Sequence, residues 1–189
     1  MPTKPRIPKE KILKAAFEIL NKDGYSNVNI KTIAKKLECS TQPISWHFSN
    51  MNEFRKELAL YALNFANNFM KPNENSDPFK AVGEGYLNLA FDYPNLFKFI
   101  YMNDYSGINV GGVEDISNDE GNEELISHFV NTYKMSKYNA EKYLTSVIIY
   151  THGLMTMIVS KLINMSKNEA RDKINEMCAL LLKEYKNEN

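Results

Sequence analysis

Apolar residues recur along this chain at spacings of three, four and seven, the pattern of helices that bury one face. No stretch shows the two-residue alternation typical of a β-strand, so the sequence predicts an all-α fold. The predicted N-terminal helices span about residues 8–22, 30–37, 41–47 and 50–70. More helices follow from residue 77 onward, and a glycine- and acid-rich stretch at residues 103–120 predicts a mobile loop or lid between them.

The two short helices, residues 30–37 and 41–47, are the most informative pair. Asn29 is placed to cap the first helix, and residues 38–40 form a tight joint. Ile44 and Phe48 turn back to the core, whereas the other side chains of the second helix face outward. Two short helices joined in this way make a helix-turn-helix, whose second helix enters the DNA major groove. An ordinary helical hairpin in a bundle has the same pattern, so the pattern alone does not distinguish a helix-turn-helix from such a hairpin.

The distribution of charge favours DNA binding. The whole chain has 23 basic and 23 acidic residues, so its net charge indicates no particular partner. Residues 1–56, however, contain 11 basic and 5 acidic residues, whereas residues 57–189 contain 12 basic and 18 acidic residues. A basic segment joined to an acidic one is typical of a protein that presents only its first part to a polyanion.

The sequence predicts two domains. Residues 1–49 form a helix-turn-helix DNA-binding domain of three helices, and residues 50–189 form a helical ligand-binding and dimerisation domain. An N-terminal arm with Lys4 and Arg6 either is disordered, as termini often are, or reaches phosphates beside the main contact. The first helix of the second domain joins the two without a flexible linker, so it could transmit a tilt from one domain to the other.

Several protein classes and site types find no support in the sequence. Cys39 and Cys178 lack the spacing of a zinc site or a disulfide framework. There is no signal peptide, and the most apolar segment, residues 143–160, contains His152 and three threonines, so we expect a cytoplasmic protein with no membrane segment. Phosphate-binding glycine loops, paired carboxylates and serine elbows are missing, and the three histidines are scattered. We therefore expect no enzyme, no cofactor and no metal.

Several features of the N-terminal segment occur together in the order of a known family. They are the pair Ala15-Ala16, Gly24, Ile33-Ala34, Cys39-Ser40, and a closing His47-Phe48 before Glu53. Residues 9–58 thereby closely resemble the TetR family of bacterial transcriptional regulators. Residues 92–97 and 150–154 resemble a C-terminal domain found in part of that family. The resemblance implies an all-helical homodimer whose two DNA-binding domains hold a palindromic operator, with a ligand pocket in each larger domain.

Three positions depart from the usual pattern of the family. Ser45 stands where an aromatic residue, often tyrosine, usually lies against the DNA backbone. Met51 stands where a lysine usually contacts a phosphate, and Glu38 stands where the turn often has glycine. These departures predict a different grip on the DNA backbone, for which the arm and the lysines of the preceding helix, Lys36 among them, could supply replacement charge.

The candidate DNA contacts lie in and around the helix-turn-helix. Gln42 is the best candidate for reading a base, because its amide can form two hydrogen bonds with the edge of adenine. Thr41 and Ser45 can reach a phosphate or a base, and Pro43 stiffens the first turn of the helix. Trp46 and His47 are suited to the backbone or to a thymine methyl. The predicted DNA-binding residues are Asn29, Lys31, Lys35, Thr41, Gln42, Pro43, Ser45, Trp46 and His47.

Aromatic and methionine side chains are frequent in the predicted second domain. Most of them are expected to pack in an ordinary core, because helical spacing alone requires apolar faces. A pocket lined by the rest would take an apolar or aromatic ligand, or a bulky cation. His152 could orient a polar group of a ligand, although a core or interface role is more common for such a histidine. The predicted ligand-binding residues are Phe65, Phe69, Phe97, Tyr101, Phe129, Tyr133, Tyr150, His152 and Met155.

The last two helices have more apolar residues than one domain can cover, which predicts a homodimer through a four-helix bundle about a two-fold axis. Ligand binding would favour a spacing of the two recognition helices other than the about 34–36 Å between successive major grooves. The predicted function is a transcriptional regulator, a repressor released from a palindromic double-stranded DNA operator by a small apolar or aromatic effector.

Two other functions stay open from the sequence. One is a DNA-binding architectural or cell-division factor that responds to a protein or to DNA rather than to a metabolite. The other is a helical small-molecule carrier or enzyme in which the helix-turn-helix is a coincidence. The basic N-terminal segment argues against the second of these.

Overall fold

All regular structure in the described part of the chain is helical, which confirms the predicted all-α fold. A computed structural model describes residues 7–72, 77–102, 113, 116–117 and 122–187. The predicted arm residues Lys4 and Arg6, and most of the predicted loop at 103–120, lie outside the described residues. The helices are α1 (Lys9–Asp23), α2 (Ile30–Lys36), α3 (Gln42–His47), α4 (Met51–Met70), α5 (Pro78–Asp92), α6 (Pro94–Tyr101), α7 (Glu123–Tyr133), α8 (Lys137–Val159) and α9 (Lys167–Asn187).

The chain divides into two compact units, one of residues 1–69 and 92–108 and the other of residues 70–91 and 109–189. The division of functions predicted at residues 49 and 50 stays a prediction, and the compact units divide the chain elsewhere. The boundary of the first unit differs from residue 49 because α1 packs against helices beyond the helix-turn-helix. It also contacts α6, and its Phe17 ring lies 4.9 Å from the ring of Phe65 in α4.

The first unit is built on the apolar face of α1. Ile12, Ala16 and Leu20 are fully buried there, at the spacing of four that one helix face requires. The end of α1 is also tied to α6, because the Asn95 amide donates hydrogen bonds to the carbonyl oxygens of Asn21, at 3.0 Å, and Lys22. This unit therefore holds α6 against the helix that supports the helix-turn-helix.

The second unit has its own core, formed where α7, α8 and α9 meet. Phe129 of α7 is 1% exposed and makes edge contacts with the rings of Phe79 and Tyr143 at 5.0 and 4.8 Å. A capping box opens α9, since Ser166 N–H donates to the Glu169 carboxylate at 2.8 Å and Glu169 N–H donates to the Ser166 hydroxyl at 3.3 Å.

Two backbone positions in the first unit have positive φ and predict opposite effects of substitution. Gly24 ends α1 with φ 82° and ψ 163°, a conformation that essentially only glycine adopts. An added Cβ there would meet nothing closer than 3.7 Å, so the cost of Gly24→Ala is conformational. Glu38 has φ 52° and is exposed, so Glu38→Gly relieves a left-handed residue without losing contacts.

We expect Gly24→Ala to lower the free energy of unfolding by about 1–2 kcal/mol, and Glu38→Gly to raise it by up to about 1 kcal/mol. Urea denaturation of both variants beside the parent protein measures the two changes. An unchanged urea midpoint for Gly24→Ala would contradict the conformational argument.

Candidate nucleic-acid interface and ligand residues

The helix-turn-helix of the sequence is present, with α2 and α3 joined by a short reversing segment. Asn29 caps α2 as predicted: its side-chain oxygen accepts from Thr32 N–H at 3.0 Å, and the Thr32 hydroxyl accepts from Asn29 N–H at 3.1 Å. The chain then reverses at Glu38 in a left-handed conformation, and Cys39 N–H donates to the Ala34 carbonyl at 3.0 Å. The joint therefore has, at Glu38, the left-handed backbone conformation that glycine adopts most easily.

Apolar anchors fix which face of α3 points to solvent. Ile44 is 2% exposed, and Phe48 is buried with its ring edge-on to Phe54 of α4 at 5.0 Å. On the opposite face Trp46 is 60% exposed. Thr41, Gln42 and Ser45 are also exposed, and Pro43 is half-buried in the first turn. A polar, exposed face on the second helix of a helix-turn-helix is the geometry that places side chains on base edges in the major groove.

His47 differs from the sequence prediction that it faces outward. It is half-buried, and its Nε2 lies 2.7 Å from the carbonyl oxygen of Ile7. Since a carbonyl only accepts, Nε2 must carry the hydrogen of this bond. The ring therefore ties the end of α3 to the segment before α1, a contact 40 residues apart that helical spacing cannot predict. A DNA contact by His47 stays a prediction.

The basic residues of this region fall into two groups. Lys9 pairs with Glu57 at 2.7 Å and Lys36 pairs with Glu18 at 2.8 Å, so both are engaged within the protein. Lys31 and Lys35 are exposed on α2, and neither has an ion pair in the described part of the chain. A phosphate contact by Lys31 or Lys35, in place of those expected to be missing at Ser45 and Met51, stays a prediction.

The start of α4 has a cap rather than a cation. Asn50 accepts hydrogen bonds from the backbone N–H groups of Asn52 and Glu53, both at 2.9 Å. The Glu53 carboxylate accepts in turn from the backbone N–H and the hydroxyl of Ser49, which holds the pKa of Glu53 below its usual range. Met51 contributes no charge in this turn.

Four of the predicted ligand-binding residues lie in the first unit. Phe97 is fully buried, and Phe65 is surrounded by the rings of Phe17, Phe69 and Tyr93. Tyr101 packs on Phe97 with ring centroids 5.1 Å apart, and burial raises the pKa of its hydroxyl to about 12. These contacts favour a packing role for Phe65 and Phe97, and none of them tests ligand binding.

The other five lie in the second unit. Phe129 and Met155 are 1% and 0% exposed, and Tyr133 and Tyr150 are half-buried. His152 is the most distinctive of them, because its Nδ1 lies 2.6 Å from the Tyr86 hydroxyl of α5. Burial lowers the pKa of His152, which favours a neutral ring at pH 7.

Two threonines of α8, close to His152 in the sequence, have buried hydroxyl groups. The hydroxyls of Thr151 and Thr156 are buried and have no hydrogen-bond partner among the residues that the structure describes. Buried polar atoms without partners are uncommon, since each costs free energy on removal from water. Thr156 lies one helical turn after His152, so their side chains share a face. The contact between Tyr86 and His152 could not be predicted from the sequence, because the periodicity within α5 and within α8 does not indicate how the two helices face each other.

Within the described ranges, no group of three or more histidine, cysteine or acidic side chains could hold a metal ion. No helix of these ranges is both long enough and apolar enough to cross a bilayer.

Comparison with known proteins agrees with the geometry of α2 and α3. Residues 12–58 match the family model described as bacterial regulatory proteins, tetR family. A curated HTH-type transcriptional regulator from Saccharopolyspora erythraea is 33% identical over 61 residues, which are 32% of this chain. The matched segment spans a quarter of that relative's length.

Similar solved structures extend the likeness of the fold to almost the whole chain. TetR from Acinetobacter baumannii AYE has a TM-score of 0.63 at 18% identity, over 95% of this chain and 96% of that chain. A single-residue variant of the same protein, in complex with minocycline, has a TM-score of 0.63 at 19% identity, with the same coverage. A TetR transcriptional regulator from Rhodococcus sp. RHA1 has a TM-score of 0.56 at 16% identity, over 93% and 96% of the two chains. The N-terminal segment of the chain thus matches the tetR family of bacterial regulatory proteins, and the fold resembles that of these solved structures.

Proposed function

We propose that this protein is a transcription regulator that binds an operator in double-stranded DNA through α2 and α3. The observation that carries the proposal is the division of α3 into two faces. Ile44 and Phe48 are anchored in the core, while Gln42 and Trp46 are exposed on a helix that follows a capped α2. Binding of a small molecule by a helical carrier or enzyme does not require such an exposed face on α3. The N-terminal segment also matches a family of regulatory proteins.

Selection of bound sequences from a pool of random duplex DNA tests this function. We expect enrichment of one palindromic sequence, because two copies related by a two-fold axis read the same half-site twice. Affinity for the selected sequence should fall with added salt, since lysines such as Lys31 and Lys35 displace counterions from phosphates. Recovery of random sequence only, with equal affinity for every duplex, would overturn specific operator binding.

The effector, in this proposal, is a small apolar or aromatic molecule with a polar group. Support comes from the second unit, where the Tyr86–His152 pair and the Thr156 hydroxyl provide hydrogen-bonding groups within a largely apolar helix. A ligand can shift DNA binding only by its different affinity for the bound and free states. Release from DNA by such a ligand is therefore the regulatory step that we propose, with repression relieved when the ligand binds.

The homodimer is proposed to form through α8 and α9. Ile149 and Met157 are 47% and 37% exposed at a spacing of eight residues on α8, and Gly153 between them has open space where a Cβ would lie. Leu180 of α9 is 55% exposed. Exposure of the Ile149, Met157 and Leu180 side chains to water is unfavourable in free energy. A second copy that packs its own α8 and α9 against them covers these side chains.

We expect Ile149→Arg to convert the dimer into a monomer at micromolar concentration, because the substitution places an uncompensated charge in the proposed interface. Sedimentation velocity of the parent protein and the variant measures the change. Leu60→Arg is the matched control, since Leu60 is 60% exposed but lies on α4 in the first unit. A monomeric parent protein, or a variant that stays dimeric, would contradict this interface.

A further inference from the structure

The segment before α1 is bonded to the end of the helix proposed to read DNA. The carbonyl of Ile7 accepts a hydrogen bond from His47 Nε2 at 2.7 Å, at the last residue of α3. The basic residues Lys4 and Arg6 come just before Ile7 in the sequence. We propose that His47 is a positioning residue, which holds Ile7 so that the N-terminal arm, residues 1–6, contacts phosphates of the DNA duplex bound by α3. This inference rests on the proposed function.

A second set of contacts holds the chain two residues later. Lys9 Nζ pairs with the Glu57 carboxylate of α4 at 2.7 Å and lies 5.4 Å from the centre of the Phe48 ring. Phe48 is 7% exposed, so that ring is itself held in the core. The path of the chain from Ile7 to Lys9 is therefore fixed at both ends, on one side by the hydrogen bond from His47 and on the other by these contacts.

Covalent geometry keeps the two charges of the arm near this anchor. Consecutive Cα atoms are about 3.8 Å apart, and an extended chain advances at most about 3.3–3.6 Å per residue. The Cα atom of Lys4, three residues before Ile7, is therefore at most about 11 Å from the Cα atom of Ile7, whatever conformation the arm adopts. Fixing Ile7 at the end of α3 thus limits how far Lys4 and Arg6 can be from that helix.

The charge of α3 explains why a basic arm beside it would matter. Residues 42–54, which are α3, the turn after it and the start of α4, contain no lysine or arginine, and Glu53 among them is acidic. Affinity for DNA depends strongly on neutralising its phosphates with lysine and arginine. Lys9, the first basic residue after the anchor, is already paired with Glu57. The arm therefore adds positive charge where α3 itself has none.

The role of His47 in this inference is position rather than charge. Its Nε2 donates to the Ile7 carbonyl, so that hydrogen bond is made within the protein. A segment that is already held loses less conformational entropy when it binds than one that is free to move. Removing the His47 side chain should therefore lower DNA affinity only while the arm has its positive charges.

A double-mutant cycle on the full chain, with the selected operator and fluorescence anisotropy, tests this role. Replacing both Lys4 and Arg6 with glutamine gives an arm-neutral protein, which should bind about tenfold more weakly and lower the slope of log affinity against log salt by up to about two per chain. His47→Ala should weaken binding about three- to tenfold in the parent protein, but less than about 1.5-fold in the arm-neutral protein. His47→Gln, whose amide N–H can donate to the Ile7 carbonyl, should restore most of the affinity.

Asn95→Ala is the matched control, because it removes a side-chain hydrogen bond to the Asn21 carbonyl in the same unit, at 3.0 Å. Its effect on DNA affinity should be the same with and without the charges of the arm. Equal weakening by His47→Ala in the parent and arm-neutral proteins would overturn the inference, since a direct DNA contact or a damaged fold acts without the arm. Unchanged affinity of the arm-neutral protein would overturn it as well. In both cases the parent still binds the operator, whereas a parent that binds no duplex would overturn the proposed function and this inference together.

Discussion

Replacing Phe129 with alanine is expected to lower the free energy of unfolding by about 3–5 kcal/mol, the largest effect of any substitution considered for this protein. The Phe129 ring is 1% exposed and lies against the rings of Phe79 and Tyr143 at 5.0 and 4.8 Å. Removing it gives up the burial of the whole ring and leaves a cavity that three helices cannot close without moving. This result would assign Phe129 to the core rather than to a ligand pocket.

Urea denaturation at one fixed protein concentration measures the loss, because the proposed dimer makes stability depend on concentration. Phe69→Ala is the matched control: the same ring is removed from a position that is 36% exposed, and a loss of less than half that of Phe129→Ala is expected. A loss below about 1 kcal/mol for Phe129→Ala would indicate that the ring already borders open space, as a pocket wall does.

Replacing Gln42 with alanine is expected to weaken operator binding by about 1–3 kcal/mol, or roughly 5- to 150-fold in Kd, and to relax the preference for one base pair in each half-site. Gln42 is the first residue of α3 and is exposed, so its amide is available for two hydrogen bonds to an adenine edge. The loss is confined to DNA binding, since an exposed side chain contributes little to the folded state.

Fluorescence anisotropy with the selected operator, and with operators substituted one base pair at a time, measures both parts of this result. Asn67→Ala is the control, because Asn67 is an exposed amide on α4, away from α3. If Gln42→Ala keeps the parent's affinity and its preference at every base pair, then Gln42 does not read a base and another exposed residue of α3 must do so.

The sequence predicted the features that depend on residues close together in the chain. The cap of α2 by Asn29 and the inward turn of Ile44 and Phe48 were both confirmed. The unusual joint was also visible, because glutamate stands where glycine is common, and Glu38 does have the left-handed φ that glycine tolerates best.

Contacts between distant segments could not be predicted in the same way. His47 was expected to face outward, yet it bonds to the Ile7 carbonyl, 40 residues away. The Tyr86–His152 pair joins residues 66 apart. Each of these depends on the angle and offset at which two helices pack, which the hydrophobic period of either helix leaves open.

By itself the sequence determined the helices, their caps and the helix-turn-helix, because backbone hydrogen bonds, capping and one-sided burial are decided within a few residues. Only the tertiary structure decided that α6 packs on α1, that the Phe129 ring lies against those of Phe79 and Tyr143, and that Arg55 and Lys98 line one cleft. An apolar face requires a partner but does not specify which one. That choice is made by side-chain packing between helices that lie far apart in the chain.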